Sequence, residues 1–272
     1  MILFTGMSMY FVISYNGNML DTIISYFIWV TNFFQGNFGF TADSMEITFF
    51  NFSNDSSKLA IGSKYLNTIL LSFLSIIVCF FIALILNLLT IVYKNNIALI
   101  IKNIIEWLSS LHIIIICLFI LALYQDSSII MAIVMVCLGT NAFFEISSSQ
   151  FNAIKELNSK DFIIAARAWG DNPIKHMKRT FLIDSINQVM GAWMLFFSNV
   201  MIYEIIFQKS GLGYLLFKHF ILVTKTIYSE SNTDFVSEPN LFLAISMLVI
   251  ITICFLNTLK KIIITYLMDY KR

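Results

Sequence analysis

Long apolar runs, broken by short polar stretches, set the pattern of this 272-residue chain. The run over 65–93 exceeds the roughly 20 residues that a helix needs to cross a bilayer core of about 30 Å, and Lys94-Asn95-Asn96 closes it. A second run, over 97–124, has Lys102 and Glu106 near its start, expected at an interface or paired across helices, and His112 inside it. After the outer turn Asp126-Ser127-Ser128, the run over 129–144 leads into a polar loop around Ser147-Ser148-Ser149. Runs over 187–207 and 241–259 bring the expected spans to five. Residues 1–14 are apolar but would reach only about 21 Å as a helix, so they are read as a shortened sixth span. The run over 22–34, with Tyr26, Trp29, Phe33 and Phe34, is too short to cross and has the aromatic content of an interfacial helix. The polar stretches 36–63 and 208–240 are expected as outer loops.

One segment between two spans has a different character. From Asp161 to Trp169 the residues favour helix, and Gly170 suits the left-handed position just past a helix C-terminus. Asn172 then suits an N-cap and Pro173 the first helical position of a second helix. A helix, a sharp glycine turn and another helix, held between two spans, protrude from the membrane. Phe162, Ile163, Ala166 and Trp169 recur near i, i+3, i+4 and i+7, which predicts one apolar face for a partner to bury.

Composition narrows the class. The chain is 58% hydrophobic and 12% charged, with mean hydropathy +0.82, whereas soluble domains carry about 25% charged residues. These values describe an integral membrane protein, and a net charge of +1 argues against a nucleic-acid binder. Cys79, Cys117, Cys137 and Cys254 fall in apolar runs without C-x-x-C spacing and read as small buried hydrophobes. Charge sets orientation. Lys94, Lys102, Lys155, Lys160, Arg167, Lys175, Lys178, Arg179, Lys260, Lys261, Lys271 and Arg272 fall on one side of the expected topology. Lys58, Lys64, Lys209, Lys218 and Lys225 fall on the other. Twelve of the 17 basic residues therefore face the cytosol, as the positive-inside rule requires.

Several chemistries find no support. His112, His176 and His219 lie in three separate regions, without an H-E-x-x-H or i, i+4 partner for a metal. The serine cluster lacks a G-x-S-x-G elbow. Neither Gly36-x-x-Gly39 nor Gly211-x-Gly213 belongs to a phosphate-binding loop, so ATP-driven work by this chain needs a separate motor subunit. Glu145 and Asp184 fall near the expected cytosolic ends of spans, and the span centres carry almost no charge. That disfavours a proton-coupled carrier, which places an ionisable group near mid-membrane. A membrane-embedded enzyme would need a polar catalytic cluster within the spans, and the sequence shows none.

Three motifs carry a family resemblance. Ile164-Ala165-Ala166-Arg167-Ala168-Trp169-Gly170 resembles the E-A-A-x-x-x-G loop of ABC importer permeases, with Ile164 at the acidic position and Trp169 where a small or basic residue is usual. Its A-R-A-x-G part looks most like the oligopeptide/dipeptide/nickel permeases. Glu204-x-x-Phe207-x-x-Ser210-Gly211-x-Gly213 resembles that family's E-x-x-F-x-x-P-G-x-G, with Ser210 for proline. Residues 29–39, W-V-T-N-F-F-Q-G-N-F-G, resemble the W-x-x-N-x-x-x-G-D-x-G stretch of the first of the paired permeases, with Asn37 for Asp.

The resemblance implies an all-α type I ABC importer permease, a bundle of about six transmembrane helices in a bacterial cytoplasmic (inner) membrane. Residues 1–64 would hold the short first span, the interfacial helix and its loop. Residues 65–272 would form the transmembrane domain, with a coupling loop over 148–185. Phe162, Ile163, Ala165, Ala166, Arg167, Trp169 and Gly170 would dock on a cytoplasmic ATPase, while Glu204, Phe207, Gly211 and Gly213 would form an outer gate or turn. The implied partners are a second homologous permease, ABC ATPase subunits that bind ATP and Mg, an extracytoplasmic substrate-binding protein and lipid. The chain itself would be non-catalytic and hold no cofactor, with peptides as the default cargo. The alternative is a structural or assembly subunit that retains the motif without transporting; substrate-stimulated ATP hydrolysis separates the two.

Overall fold

The computed structural model describes residues 19–40, 45–50, 58–124, 128–171, 173–218 and 239–269. The expected short span over 1–14 lies outside them, as do Asn172 and residues 219–238 of the expected outer loop. In order, the elements are α1 (Met19–Phe34), β1 (Asn37–Phe40), β2 (Glu46–Thr48), β3 (Lys58–Ala60), α2 (Gly62–Ile91), α3 (Asn96–Ser109) and α4 (Ile113–Leu123). They are followed by α5 (Ile129–Leu138), a 3-10 turn (Gly139–Asn141), α6 (Ala142–Asn158), α7 (Asp161–Ala168), α8 (Pro173–Ile206) and α9 (Pro239–Asp269).

The helices are those of a multi-pass membrane protein. Four stretches are long and apolar enough to cross, namely Gly62–Ile91, Ile129–Asn158, Ile183–Ile206 and Asn240–Tyr266, and the pair α3 and α4 is a candidate fifth. Two expectations need correction. The run over 97–124 is not one straight helix, because α3 and α4 meet at 95°. Ser109 and Ser110 turn their hydroxyls back onto the Glu106 and Trp107 carbonyls at 2.8 and 2.7 Å, and His112 caps α4 by accepting from Ile114 N–H. Side chains that compete for backbone partners end one helix and start the next. Likewise, Ser147-Ser148-Ser149 is not loop but part of α6, since Phe143, Ile146, Ser147, Gln150, Ile154 and Leu157 recur at helical spacing and are buried.

The chain divides into two compact units, Met1–Thr68 with Ser210–Phe255, and Ile69–Lys209 with Leu256–Arg272; the divisions fall within α2 and α9. The first unit corrects a further expectation, because the polar stretch 36–63 contains a three-stranded sheet. β2 pairs antiparallel with β1 and parallel with β3. The Glu46 carboxylate ties all three strands, accepting from Asn37 Nδ2 at 2.8 Å and facing Lys58 Nζ at 3.1 Å. Beneath the sheet, Tyr26, Trp29, Phe33, Phe38, Ile47 and Ile61 are buried, and the Trp29–Phe33–Phe38 rings stack at 5.3 and 4.8 Å.

The second unit is a helical bundle in which α6 packs most extensively on α8, with α4 and α5 also against α8. Lipid gives helices little hydrophobic reason to associate, so packing and interhelical hydrogen bonds matter. Asn87 donates to the Ser147 carbonyl at 2.9 Å, Gln150 to the Phe80 carbonyl at 3.3 Å, and the Cys137 thiol to the Ser75 carbonyl at 3.3 Å.

Candidate functional site

The protruding hook consists of α7, Gly170 and the start of α8. Gly170 has φ +78, and Asp171 N–H donates to the Ala166 carbonyl at 2.9 Å, the 6→1 bond of a left-handed C-terminal cap. His176 Nε2 and Asp171 Oδ2, 2.8 Å apart, tie the turn to the first turns of α8. Helix α8 has 34 residues, of which 24 suffice for the span. The ten residues at its N-terminal end lie outside that candidate span and lengthen the helix by about 15 Å.

The single apolar face predicted for this hook divides in two. Ile163 and Ala166 are buried, Ile163 in a cluster with Ile154, Leu157 and Met177. Phe162, Ile164 and Trp169 are exposed, Trp169 at 87%. Ala165 is half-buried, and Arg167 lies in α7 with its side chain outside the described ones. The hook is thus rooted in the chain's own core and apolar at its tip.

The second predicted group is divided between the two units. Glu204 and Phe207 belong to the second unit, and both are buried there, Phe207 stacked on Tyr203 at 5.2 Å. Gly211 and Gly213 are buried in the first unit, Gly211 in a turn just ahead of a helical stretch over 212–218 and Gly213 within that stretch. That turn is pinned to the start of α2, where Leu212 N–H donates to the Thr68 hydroxyl at 2.9 Å and Asn67 to the Ser210 carbonyl at 3.3 Å. The third motif forms a knot in the same unit. Trp29 Nε1 donates to the Phe38 carbonyl at 3.2 Å, and the Asn37 side chain accepts from Gly39 N–H at 3.0 Å. Gly39 has φ +99, and a Cβ there would lie 2.9 Å from the Asn240 amide, which itself donates to the Phe40 carbonyl.

A feature that the apolar pattern concealed lies in the second unit. The span Ile129–Asn158 is broken at Gly139–Asn141, with Thr140 at φ 54 and Asn141 at φ 61. The ten residues of α5 rise about 15 Å, against a hydrocarbon core of about 30 Å, so the break lies inside the candidate span and not at its end. Helix α8 supports it, with Asn199 Nδ2 donating to the Val136 and Gly139 carbonyls at 3.2 and 2.9 Å. The bend between α3 and α4 meets it from the other side, through Thr140 N–H donating to the Leu111 carbonyl at 3.0 Å. Irregular backbone at this depth is tolerated only where it is buried in protein or lines a cavity. A cavity of about 430 Å³ does lie against it, with Thr140, Asn141, Glu145, Ser149 and Gln188 as its polar lining and Ile146, Gly191, Ala192 and Leu195 as its apolar lining. Gln188 Oε1 is buried there without a hydrogen-bond partner among the described residues, an omission that ordinarily costs about 1–3 kcal/mol. The sequence signal was Gly139-Thr140-Asn141 inside an apolar run, glycine and asparagine being turn-formers. Glu145, expected near a cytosolic helix end, lies on this cavity in the first turn of α6.

A separate, almost wholly apolar cavity of about 520 Å³ opens beside the root of the hook, between Phe80 and Leu84 of α2, Ile154 of α6, and Met177 and Phe181 of α8. Between α3 and α6, Lys102 is buried, 3.6 Å from Glu106 and 3.7 Å from the centre of the Phe151 ring, and Glu106 accepts from the Ser147 hydroxyl at 2.7 Å. This charged pair sets the side on which α3 meets α6.

No protein-family model matches the chain, and no curated protein matches it.

Proposed function

We propose that the chain is the membrane-spanning permease subunit of an ATP-driven importer, with peptides as cargo and ATP hydrolysed by separate cytoplasmic subunits. The observation that carries this reading is the hook. A short helix, rooted through Ile163 and Ala166, presents exposed Phe162 and Trp169 at the end of a helix that runs on without interruption into a span. A push on that tip is transmitted along α8, which also holds the broken span through Asn199 and borders the polar cavity. The positive-inside count puts the hook in the cytosol, where a motor subunit can reach it. The resemblance of residues 164–170 to a permease coupling loop supports the same assignment. A second permease copy or homologue would cover the polar cavity, which is costly to leave facing lipid, and a binding protein outside would deliver the cargo.

The test is purification in mild detergent from the native membrane, mass spectrometry of the co-purifying proteins, and ATP hydrolysis with and without peptide. A nucleotide-binding subunit whose hydrolysis peptide stimulates is the expected result. A complete native assembly without a nucleotide-binding subunit overturns the reading.

A further inference from the structure

The polar cavity beside the broken span is one-sided in its chemistry. Its lining offers the carboxyl of exposed Glu145 and the side-chain carbonyl of Gln188, partnerless among the described residues, with Asn141 and Ser149 nearby, and no Lys, Arg or His among its described lining residues. About 430 Å³ lies within the range of about 300–1,000 Å³ usual for small-ligand sites. Space along one wall comes from Gly191, where no atom lies within 4 Å of a Cβ built there. An acidic group in the first turn of a helix also offsets the helix dipole, but that role calls for neither a cavity nor a buried acceptor on a different helix.

We infer that this cavity holds the positively charged amino group of the cargo, with Glu145 as the counter-charge and the Gln188 carbonyl as a hydrogen-bond acceptor. The inference rests on the permease reading for its peptide cargo. An ammonium group brings both the charge that Glu145 complements and the N–H that Gln188 lacks. Gln188 lies on α8, the helix that carries the hook, so a displacement of the hook separates the two cargo-holding groups. Release is thereby built into the same helix.

Three probes, titrated calorimetrically into the complex in lipid nanodiscs, test this: trialanine, N-acetyl-trialanine and n-butylamine. Trialanine is expected to bind about tenfold more tightly than its acetylated form, the range for a hydrogen bond to a charged group. E145Q removes that preference without changing the melting temperature, and Q188L weakens trialanine and n-butylamine but not N-acetyl-trialanine. If E145Q does not fold, G191L fills the cavity from open space and must abolish binding of trialanine. Equal binding of the two peptides, a preference that survives E145Q, or no binding of any probe overturns the inference. Glu145-dependent binding of n-butylamine with no binding of either peptide upholds the cation site and overturns the peptide-permease reading instead.

Discussion

Ile163 and Trp169 lie on the same short hook, are both large and apolar, and have opposite environments: the first is fully buried, the second 87% exposed. Periodicity gave them one face because it counts apolar residues and not their neighbours. Met177 and Leu157 are the neighbours that decide. At this scale Trp169→Ala should change stability by no more than about 0.5 kcal/mol, as for an exposed position. It should nonetheless depress peptide-stimulated ATP hydrolysis in the complex; unchanged hydrolysis would remove Trp169 from the docking surface. Gly170→Ala should behave differently. Nothing lies within 4 Å of a Cβ there, so the cost is backbone strain alone, about 1–2 kcal/mol for a left-handed non-glycine residue. It should appear as a lower melting temperature in detergent, and an unchanged one would contradict the cap. Gly170 was readable from sequence, because only glycine meets the left-handed backbone of such a cap without penalty.

At the scale of elements, helix continuity was the least legible property. The runs 97–124 and 129–144 look uninterrupted in hydropathy, yet one bends by 95° and the other breaks at Gly139–Asn141 and then continues as α6. Hydropathy reports solubility in lipid and says nothing of where a backbone carbonyl finds a partner. Asn199 supplies partners from a helix some 60 positions away. Asn199→Leu should therefore destabilise the second unit by about 1–3 kcal/mol, the cost of leaving a buried carbonyl unmet, whereas Asn141→Gly should be tolerated. Melting temperatures of the two variants check this, and similar values would mean that the break does not depend on α8. Lys102→Met strands Glu106 and should cost about 3–5 kcal/mol. The double variant with Glu106→Leu should recover most of it. Recovery failing in the double variant would show that Lys102 acts through Phe151 and not through its charge partner.

For the whole molecule, the open quantity is the number of crossings between β3 and the hook. If α3 and α4 together make one crossing, Lys58 and Trp169 lie on opposite faces of the membrane; if they form a re-entrant loop, the two lie on the same face. In a Cys254→Ser background, K58C and W169C should react with a membrane-impermeant maleimide from opposite sides of sealed vesicles. Labelling from one side alone would reduce the count by a crossing and reverse one half of the charge argument. The membrane class, the long apolar helices, the short apolar helix ahead of them and the glycine turn between α7 and α8 were determined by the sequence itself, because composition, length and turn chemistry are local. The three-stranded sheet, the partition of the hook into root and tip, the two interrupted spans and the polar cavity between α6 and α8 were decided only by tertiary structure. Each depends on a partner far along the chain: Glu46 on Lys58, Ile163 on Met177, Gly139 on Asn199, and the cavity on Glu145 lying across from Gln188. No local pattern of apolar and polar residues encodes such a pairing.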